Sequence, residues 1–163
     1  MVTITGEKED VNFRKALNYA LRLLGYRART IAEMRERLEL KGFSDTSIEL
    51  VLERLQAEGY LNDEEFARNW IESRLSSKPM GRRRILYELH QKGVPRETIK
   101  RELQGYLDHD HEVKLAMELV EQRWQATASL SQEKGWQRLS SFLERRGFSP
   151  DTIETLRRRL KVL

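Results

Sequence analysis

The amino-acid sequence predicts an all-α protein built from three tandem three-helix repeats. The chain has 163 residues, few prolines and no cysteine, and it is rich in Glu, Lys, Arg, Leu and Gln, which all favour helix. An internal repeat supplies the second observation, because self-similarity at a fixed period indicates an array of small units. The repeated segments each read Leu, two residues, Lys or Arg, then Gly; they are 38–55, 89–106 and 143–160.

The repeat is anchored by Gly42, Gly93 and Gly147, which lie 51 and 54 residues apart. A large apolar residue follows each glycine, and an isoleucine lies five residues beyond it. The aligned apolar columns are Met34/Ile85/Leu139, Leu38/Leu89/Leu143, Phe43/Val94/Phe148 and Ile48/Ile99/Ile153. We expect each glycine to end a helix in the left-handed conformation. The predicted repeats are residues 1–59, 60–107 and 108–163.

The first repeat begins with an apolar stripe at helical spacing. Its members are Ala16, Leu17, Ala20, Leu21 and Leu24. Thr30 and Glu33 then have the spacing of a capping box, which predicts a second helix ending at Gly42. Ser44 is expected to cap the third helix, which runs to about Gly59.

The second and third repeats follow the same order of helices. Their first helices carry the apolar stripes Phe66, Trp70, Ile71, Leu75 and Leu115, Leu119, Val120, Trp124. In the second repeat, Gly81 to Lys92 forms the next helix, and Pro95 opens the last one, where its missing N–H costs nothing. In the third repeat, the last two helices run from about Ser131 to Gly147 and from Ser149 to the C-terminus.

Short Gly-Tyr-Leu joints connect the repeats at 59–61 and 105–107, each ahead of an acidic helix start. A unit of about 50 residues buries little surface by itself, so packing between neighbours should help each repeat to fold. We therefore expect an elongated, curved helix-turn-helix-like array, and a monomer.

The sequence gives little support for catalysis. It has no Gly-rich phosphate loop, no interpretable Ser/His/Asp set and no cysteine nucleophile, so no catalytic residue and no cofactor is predicted. His109 and His111 flank Asp110, but alternate residues at a helix start diverge in direction, so we predict a solvated cap and no metal. No stretch approaches the about 18 apolar residues needed to span a bilayer. The N-terminus lacks a signal layout, and a cytoplasmic protein is expected.

The helix–turn–helix pattern also suggests a comparison with sequence-specific DNA readers. A reader needs uncharged or basic groups on the early turns of its second helix. Each repeat instead carries an acidic residue there, in 44–49, 95–100 and 149–154. Base-specific reading of the major groove is therefore disfavoured.

The basic excess lies in the middle of the chain. The net charge is +4, and residues 60–107 carry ten basic and seven acidic side chains, whereas the other two repeats are nearly balanced. This bias permits a nucleic-acid or nucleoprotein partner without requiring one.

Three consecutive arginines opening the second helix of the middle repeat are the main candidate site. They oppose the helix dipole, and the first repeat has Ile31, Ala32 and Glu33 at the aligned positions, so the fold does not itself require arginine. The candidate surface for binding a filament or DNA is Lys78, Arg82, Arg83, Arg84, Tyr87 and Lys92. A merely solvated helix face is the alternative.

A second basic cluster lies near the C-terminus and consists of Arg157, Arg158, Arg159 and Lys161. Basic residues suit the C-terminal end of a helix electrostatically. The cluster is therefore either a phosphate contact or a favourable helix end.

Residues 59–94 closely resemble the signature region of the RecX family of bacterial regulatory proteins; they read GYLNDEEFARNWIESRLSSKPMGRRRILYELHQKGV. The resemblance extends through ALNYALRLLGYRARTIAEMRERLELKGF before this region and, more weakly, through the third repeat, from about Asn12 onward. It implies tandem three-helix units and a non-catalytic modulator of RecA. Family members bind RecA–DNA filaments in the helical groove, and some bind DNA directly.

The resemblance thus implies a negative regulator of RecA, acting on the RecA filament on single-stranded DNA. Inhibition of the ATPase, strand exchange and co-protease activities would follow from blocked filament growth or from disassembly. A helical-repeat adaptor for another protein and a non-specific DNA-binding protein are the alternatives. The longer loop QATASLSQEKG distinguishes the third repeat.

Overall fold

The structure is a computed structural model that describes the backbone of residues 4–127 and 129–161, with side chains from residue 11 onward in those ranges. All regular structure within them is helical, which confirms the predicted all-α class. The helices are α1 (Ile4–Tyr26), α2 (Ile31–Leu40), α3 (Asp45–Ala57), α4 (Asp63–Ser77), α5 (Arg82–Gln91), α6 (Arg96–Tyr106), α7 (His109–Trp124), α8 (Gln132–Arg145) and α9 (Pro150–Arg159). A short 3₁₀ turn, Gln125–Thr127, follows α7.

Polar caps begin the helices at the predicted residues. The Thr30 hydroxyl accepts from the Glu33 amide at 3.0 Å, and the Glu33 carboxylate accepts from the Thr30 amide at 3.3 Å, so the capping box is confirmed. Ser44, Ser131 and Ser149 each cap a helix in the same way. These caps satisfy amides that have no partner within their own helix.

The three aligned glycines end their helices in the left-handed region, as predicted. Gly42, Gly93 and Gly147 have φ angles of 85°, 80° and 80°, which a residue with a Cβ adopts only with strain. The following residue closes the turn onto the helix, since the Phe148 amide donates to the Leu143 carbonyl at 3.1 Å. The chain therefore reverses sharply between the second and third helix of every repeat.

The aligned apolar columns lie in the cores. Met34, Leu38 and Ile48 belong to a core cluster formed by α1, α2 and α3, and their counterparts Leu139 and Leu143 belong to one formed by α7, α8 and α9. Two stripe residues differ from the prediction: Leu21 is 37% exposed and Trp124 is 40% exposed. Leu21 lies at the flank of the α1 stripe, and Trp124 is the last residue of α7.

The chain divides into two compact units. The first contains the chain up to Phe66 together with Gln91–Pro95, and the second contains Ala67–His90 and everything from Arg96 onward. The turn between α5 and α6 thus packs in the first unit. The repeat boundaries proposed after residues 59 and 107 fall between α3 and α4 and between α6 and α7, and they stay predictions.

Asp108 caps α7, and its carboxylate accepts from the His111 amide at 2.9 Å. Across the described ranges, no group of three or more His, Asp or Glu side chains is arranged to hold a metal ion. No helix in that part of the chain has the length and apolar character needed to cross a membrane.

Candidate functional site

The arginine helix, α5, is held by the turn that follows α8. The Gly81 amide donates to the Arg146 carbonyl at 2.9 Å, and the Arg83 amide donates to the Gly147 carbonyl at 3.1 Å. Carbonyls at one helix C-terminus thus satisfy amides at another helix N-terminus, and both sets would otherwise need water. Gly81 is required at this approach, because a Cβ there would overlap the backbone of Gly147 and Phe148.

A buried carboxylate completes this end of α5. One oxygen of Glu112, Oε1, accepts from the Arg82 amide at 2.8 Å. The other, Oε2, accepts from the hydroxyls of Ser149 and Thr152 at 3.0 and 2.7 Å. Negative charge at a helix N-terminus is favourable, so Glu112 offsets the unfavourable position of the arginines in the first turn.

A basic cleft lies beside α5 within the second unit. Its volume is about 380 Å³. We call it the basic cleft; it is lined by Arg74, Lys78, Met80, Arg84, Glu88, Phe142, Arg145 and Arg146. Glu88 is the single acidic residue of this lining against five basic ones. The cleft is therefore suited to an anionic ligand.

Glu88 orients two arginines of the basic cleft. Its carboxylate accepts from Arg74 Nε at 2.8 Å, from Arg84 Nε at 3.0 Å and from the Trp70 indole at 3.1 Å. Burial by itself would raise the pKa of Glu88, but hydrogen bonds from these three donors bring that pKa below its ordinary value. Both arginines bind Glu88 through Nε, so their terminal amino groups stay available to a ligand.

Arg146 and Phe142 form the opposite side of the basic cleft. Arg146 donates from Nη1 to the Pro79 carbonyl at 3.0 Å, and its guanidinium lies 5.2 Å from the centre of the Phe142 ring. Arg145 is exposed beside it. This side of the cleft is positioned by the same turn that holds the end of α5.

Family models of the RecX three-helix domains match the chain three times. The first domain matches residues 16–55, the second residues 62–103 and the third residues 110–156. The chain belongs to the RecX family. Members of this family are regulatory and non-enzymatic proteins.

Curated RecX proteins are similar over most of this chain. The Regulatory protein RecX of Prosthecochloris aestuarii is 39% identical over 144 residues, which cover 88% of this chain and 92% of the relative. That of Amycolatopsis mediterranei is 35% identical over 85% of this chain and 79% of the relative. A crystal structure of RecX from Lactobacillus salivarius shares the fold, with a TM-score of 0.86 at 22% identity, covering 94% of this chain and 99% of that one.

Within this RecX fold, the predicted site residues fall into two groups. Lys78 and Arg84 line the basic cleft, and the Arg84 guanidinium lies 6.0 Å from the centre of the Tyr87 ring. Tyr87 itself is 54% exposed. Arg83 is exposed on the same helix, whereas Arg82 is half-buried, with Nη2 at 3.5 Å from Gln104 Oε1.

Lys92 belongs to the first unit, where its ammonium lies 3.2 Å from the Glu33 carboxylate. Burial alone would raise the pKa of Glu33, but hydrogen bonds from Arg27 and Lys92 lower it overall. Lys92 therefore has a structural role at the capping box of α2, whatever else it contacts.

Sequence reasoning missed Arg74, Glu88, Phe142, Arg145 and Arg146. One signal was present for Arg146, because it occupies the same repeat column as Lys41 and Lys92, directly before the turn glycine. Glu88 also had a local signal, because it lies four residues after Arg84 on α5. Arg74, Phe142 and Arg145 come from α4 and α8, and only tertiary packing brings them to the cleft.

The C-terminal basic cluster forms the end of α9. Arg157, Arg158 and Arg159 lie in its last turn and are exposed. Lys161 follows with a φ of 52°, and its carbonyl accepts from the Gln132 amide group at 3.4 Å. The cluster is separate from the lining of the basic cleft.

Proposed function

We propose that this protein is a negative regulator of the RecA recombinase that binds the RecA filament on single-stranded DNA. Binding inhibits the ATPase, strand exchange and co-protease activities, by blocking filament growth or by promoting disassembly. The protein acts in the cytoplasm as a monomer, and it requires no cofactor.

The observation that carries the proposal is the basic cleft, together with membership in the RecX family. Arg74 and Arg84 present planar guanidinium groups. A guanidinium group can donate two parallel hydrogen bonds to the oxygens of one phosphate or carboxylate group. A filament on DNA offers a repeating row of phosphates, and contacts to phosphates carry affinity without reading sequence. Phe142 in the cleft lining and Tyr87 on α5 add aromatic surface of the kind on which unpaired bases stack.

Non-specific binding to bare DNA is the second candidate function, and the exposed cluster at the end of α9 favours it. An adaptor for another protein remains the alternative in which the arginines are only a solvated helix face. Salt separates these candidates, because binding to phosphates releases counterions and weakens steeply as salt rises.

The test is a titration of RecA ATPase activity on single-stranded DNA with the parent protein and with two double variants. K78A/R145A removes two exposed charges from the basic cleft. K114A/R138A removes one exposed Lys and one exposed Arg elsewhere in the same unit, so it matches the change in net charge. Neither pair should alter stability by more than about 0.5 kcal/mol, as is usual for exposed positions.

We expect the cleft variant to need about tenfold more protein for half-inhibition, which corresponds to about 1.4 kcal/mol of binding free energy. The control variant should inhibit like the parent. Equal inhibition by all three proteins would remove the cleft from the proposal, and a parent protein that does not inhibit RecA would contradict the function itself.

A further inference from the structure

Two junctions in this chain have the same construction. The Thr30 hydroxyl, at the start of α2, donates to the Lys92 carbonyl at 2.6 Å. The Gly81 amide, at the start of α5, donates to the Arg146 carbonyl at 2.9 Å. Thr30 aligns with Gly81 in the repeat, and Lys92 aligns with Arg146. In both cases the glycine turn of a later repeat meets the N-terminus of the second helix of the earlier repeat.

In each junction, the amide of the residue after Thr30 or Gly81 donates to the side chain of an acidic residue. The Ile31 amide donates to Asp63 Oδ1 at 3.0 Å, as the Arg82 amide does to Glu112. Asp63 lies four residues before the buried Ala67, and Glu112 lies four residues before the buried Ala116. The two acids therefore occupy equivalent positions on the first helices of their repeats.

The junctions are close-packed. A Cβ added to Gly93 would overlap Ala32, and one added to Gly147 would overlap Arg84. The apolar residue after each glycine is fully covered, since Val94 is 1% exposed and Phe148 is 0% exposed. A docked helix N-terminus thus sits directly over the turn glycine.

The first repeat has the same glycine turn, but none of the described helices has its N-terminus packed on it. Gly42 has the same left-handed conformation, but apart from its two chain neighbours none of the described residues places an atom within 4 Å of a Cβ built on it. Phe43 is only half-buried, in the column where Val94 and Phe148 are covered. Leu40 is 72% exposed, although the other repeats have a polar residue, Gln91 or Arg145, in its column.

The first repeat also has a residue in the position of the acidic acceptors Asp63 and Glu112. Asn12 lies four residues before the buried Ala16 and is exposed. It is therefore equivalent to Asp63 and Glu112, and its amide oxygen can accept from an amide N–H as their carboxylates do. We call Leu40–Phe43 the first-repeat turn.

We propose that the first-repeat turn docks the N-terminus of a helix of a partner protein. The partner helix donates its first free amides to the Lys41 carbonyl and to Asn12, as α2 and α5 donate within this chain. Its first turn passes over Gly42, and its apolar residues cover Leu40 and Phe43. Opposite ends of two helix dipoles meet, which is favourable.

A second copy of this chain does not fit as the occupant. The N-terminus of α2 is taken by the turn at Gly93, and that of α5 by the turn at Gly147. The aligned position in the third repeat is Gly135, which lies one turn inside α8 and is packed against Thr127. The start of α8 therefore differs from the starts of α2 and α5: it is capped by Ser131, whose hydroxyl accepts from the Lys134 amide at 3.4 Å, and its residue 135 is not at the helix end.

The experiment compares G42N with a matched control, G59N. Gly59 also has a positive φ, 78°, and open space around its Cβ, and asparagine adopts this conformation more readily than other residues. Both variants should melt close to the parent. We expect G42N to need at least tenfold more protein to half-inhibit RecA on single-stranded DNA, and G59N to need no more than the parent. L40Q, which installs the polar residue of the second repeat, should weaken inhibition in the same direction.

Cross-linking identifies what is docked. Because the chain has no cysteine, a benzophenone maleimide can be attached at L40C alone, with the exposed α3 position E53C as the control. Irradiation with RecA filaments should link position 40, and not position 53, to the first turn of a RecA helix. A link to a strand, a link to a second copy of this chain, or no link would overturn the proposal.

The choice of RecA as the probe rests on the proposed function, and the two can fail separately. If the parent inhibits RecA and G42N inhibits equally well, the docking proposal falls and the function stands. If the parent does not inhibit RecA, the proposed function falls, and with it RecA as the docked partner. If G42N loses binding to bare single-stranded DNA to the same extent, the turn contacts DNA and the docking proposal is wrong.

Discussion

Glu88 determines how two arginines of the basic cleft are presented. Its carboxylate holds Arg74 and Arg84 by their Nε atoms and leaves its negative charge inside an otherwise basic surface. The carboxylate therefore affects both the stability of the fold and the affinity of the cleft for an anion. It stabilises the fold, and it weakens the attraction of the cleft for an anion.

E88Q should separate these effects. The pKa of Glu88 is lowered by its three donors, so its contribution to stability is present above the ordinary carboxylate pKa and is lost as the pH falls through the lowered one. We expect E88Q to reduce the free energy of unfolding by about 1 kcal/mol at pH 7, a value discounted because both arginines are partly exposed. The difference from the parent should shrink near pH 3.

Urea unfolding at the two pH values checks the stability effect, and binding to bare single-stranded DNA checks the charge effect. The variant should bind DNA a few-fold more tightly at low salt. A stability difference that is the same at both pH values would show that Glu88 acts through packing and not through its charge.

Local residue roles were predictable where the partners are close in sequence. The Thr30–Glu33 capping box and the serine caps follow from spacing alone, since each cap joins residues three apart. Glu88 was predictable only in part: its ion pair with Arg84 has the i,i+4 spacing of a helix pair, whereas its contact with Arg74 joins α5 to α4 and has no local signature. Lys92 likewise reads as a surface charge in the sequence, whereas its pairing with Glu33 depends on the packing of the α5–α6 turn.

Helix ends form the joints between elements. The turn glycines have the same sequence pattern and nearly the same φ, yet Gly42 is open while Gly147 is packed against Arg84. The sequence predicted where α2, α5 and α8 end. It did not predict which turns would be covered, because a local motif carries no information about its tertiary neighbour.

G42A and G147A should therefore differ in stability. Both place alanine in the left-handed region, which costs about 1–2 kcal/mol. At Gly147 the new methyl group would also overlap the Cβ and backbone of Arg84, so overpacking should add roughly a further 1–3 kcal/mol. Chemical denaturation of the two variants measures the difference directly. Equal destabilisation would mean that the turn at Gly147 moves away from α5 without cost.

The whole molecule carries a modest net charge of +4, and basic residues cluster on two separate features, the basic cleft and the end of α9. The all-α class, the three-helix repeats and the family were all predictable, since they rest on periodicity and on motifs within single segments. The elongated shape and the repeat boundaries stay predictions. Of the basic residues that line the cleft, only Lys78 and Arg84 were predicted, because Arg74, Arg145 and Arg146 come from α4, α8 and the residue that follows α8.

The triple variant R157Q/R158Q/R159Q tests whether the end of α9 binds DNA. If these residues bind phosphates, affinity for bare single-stranded DNA should fall, and the slope of log affinity against log salt should decrease by about 0.7 for each phosphate that is no longer neutralised. Fluorescence anisotropy across a salt series measures both quantities. An unchanged slope with a lowered melting temperature would assign the cluster to stabilisation of the helix end.

The direction of the junctions also matters while the protein is being made. Chains are synthesised from the N-terminus, and in both junctions the receiving helix end is translated before the turn that covers it. The partners of the start of α2, which are Asp63 and residues 91–95, are synthesised after it. The partners of the start of α5, which are Glu112 and residues 146–152, are likewise synthesised after it. A chain that ended before Arg146 would lack both carbonyls that accept from the amides of Gly81 and Arg83.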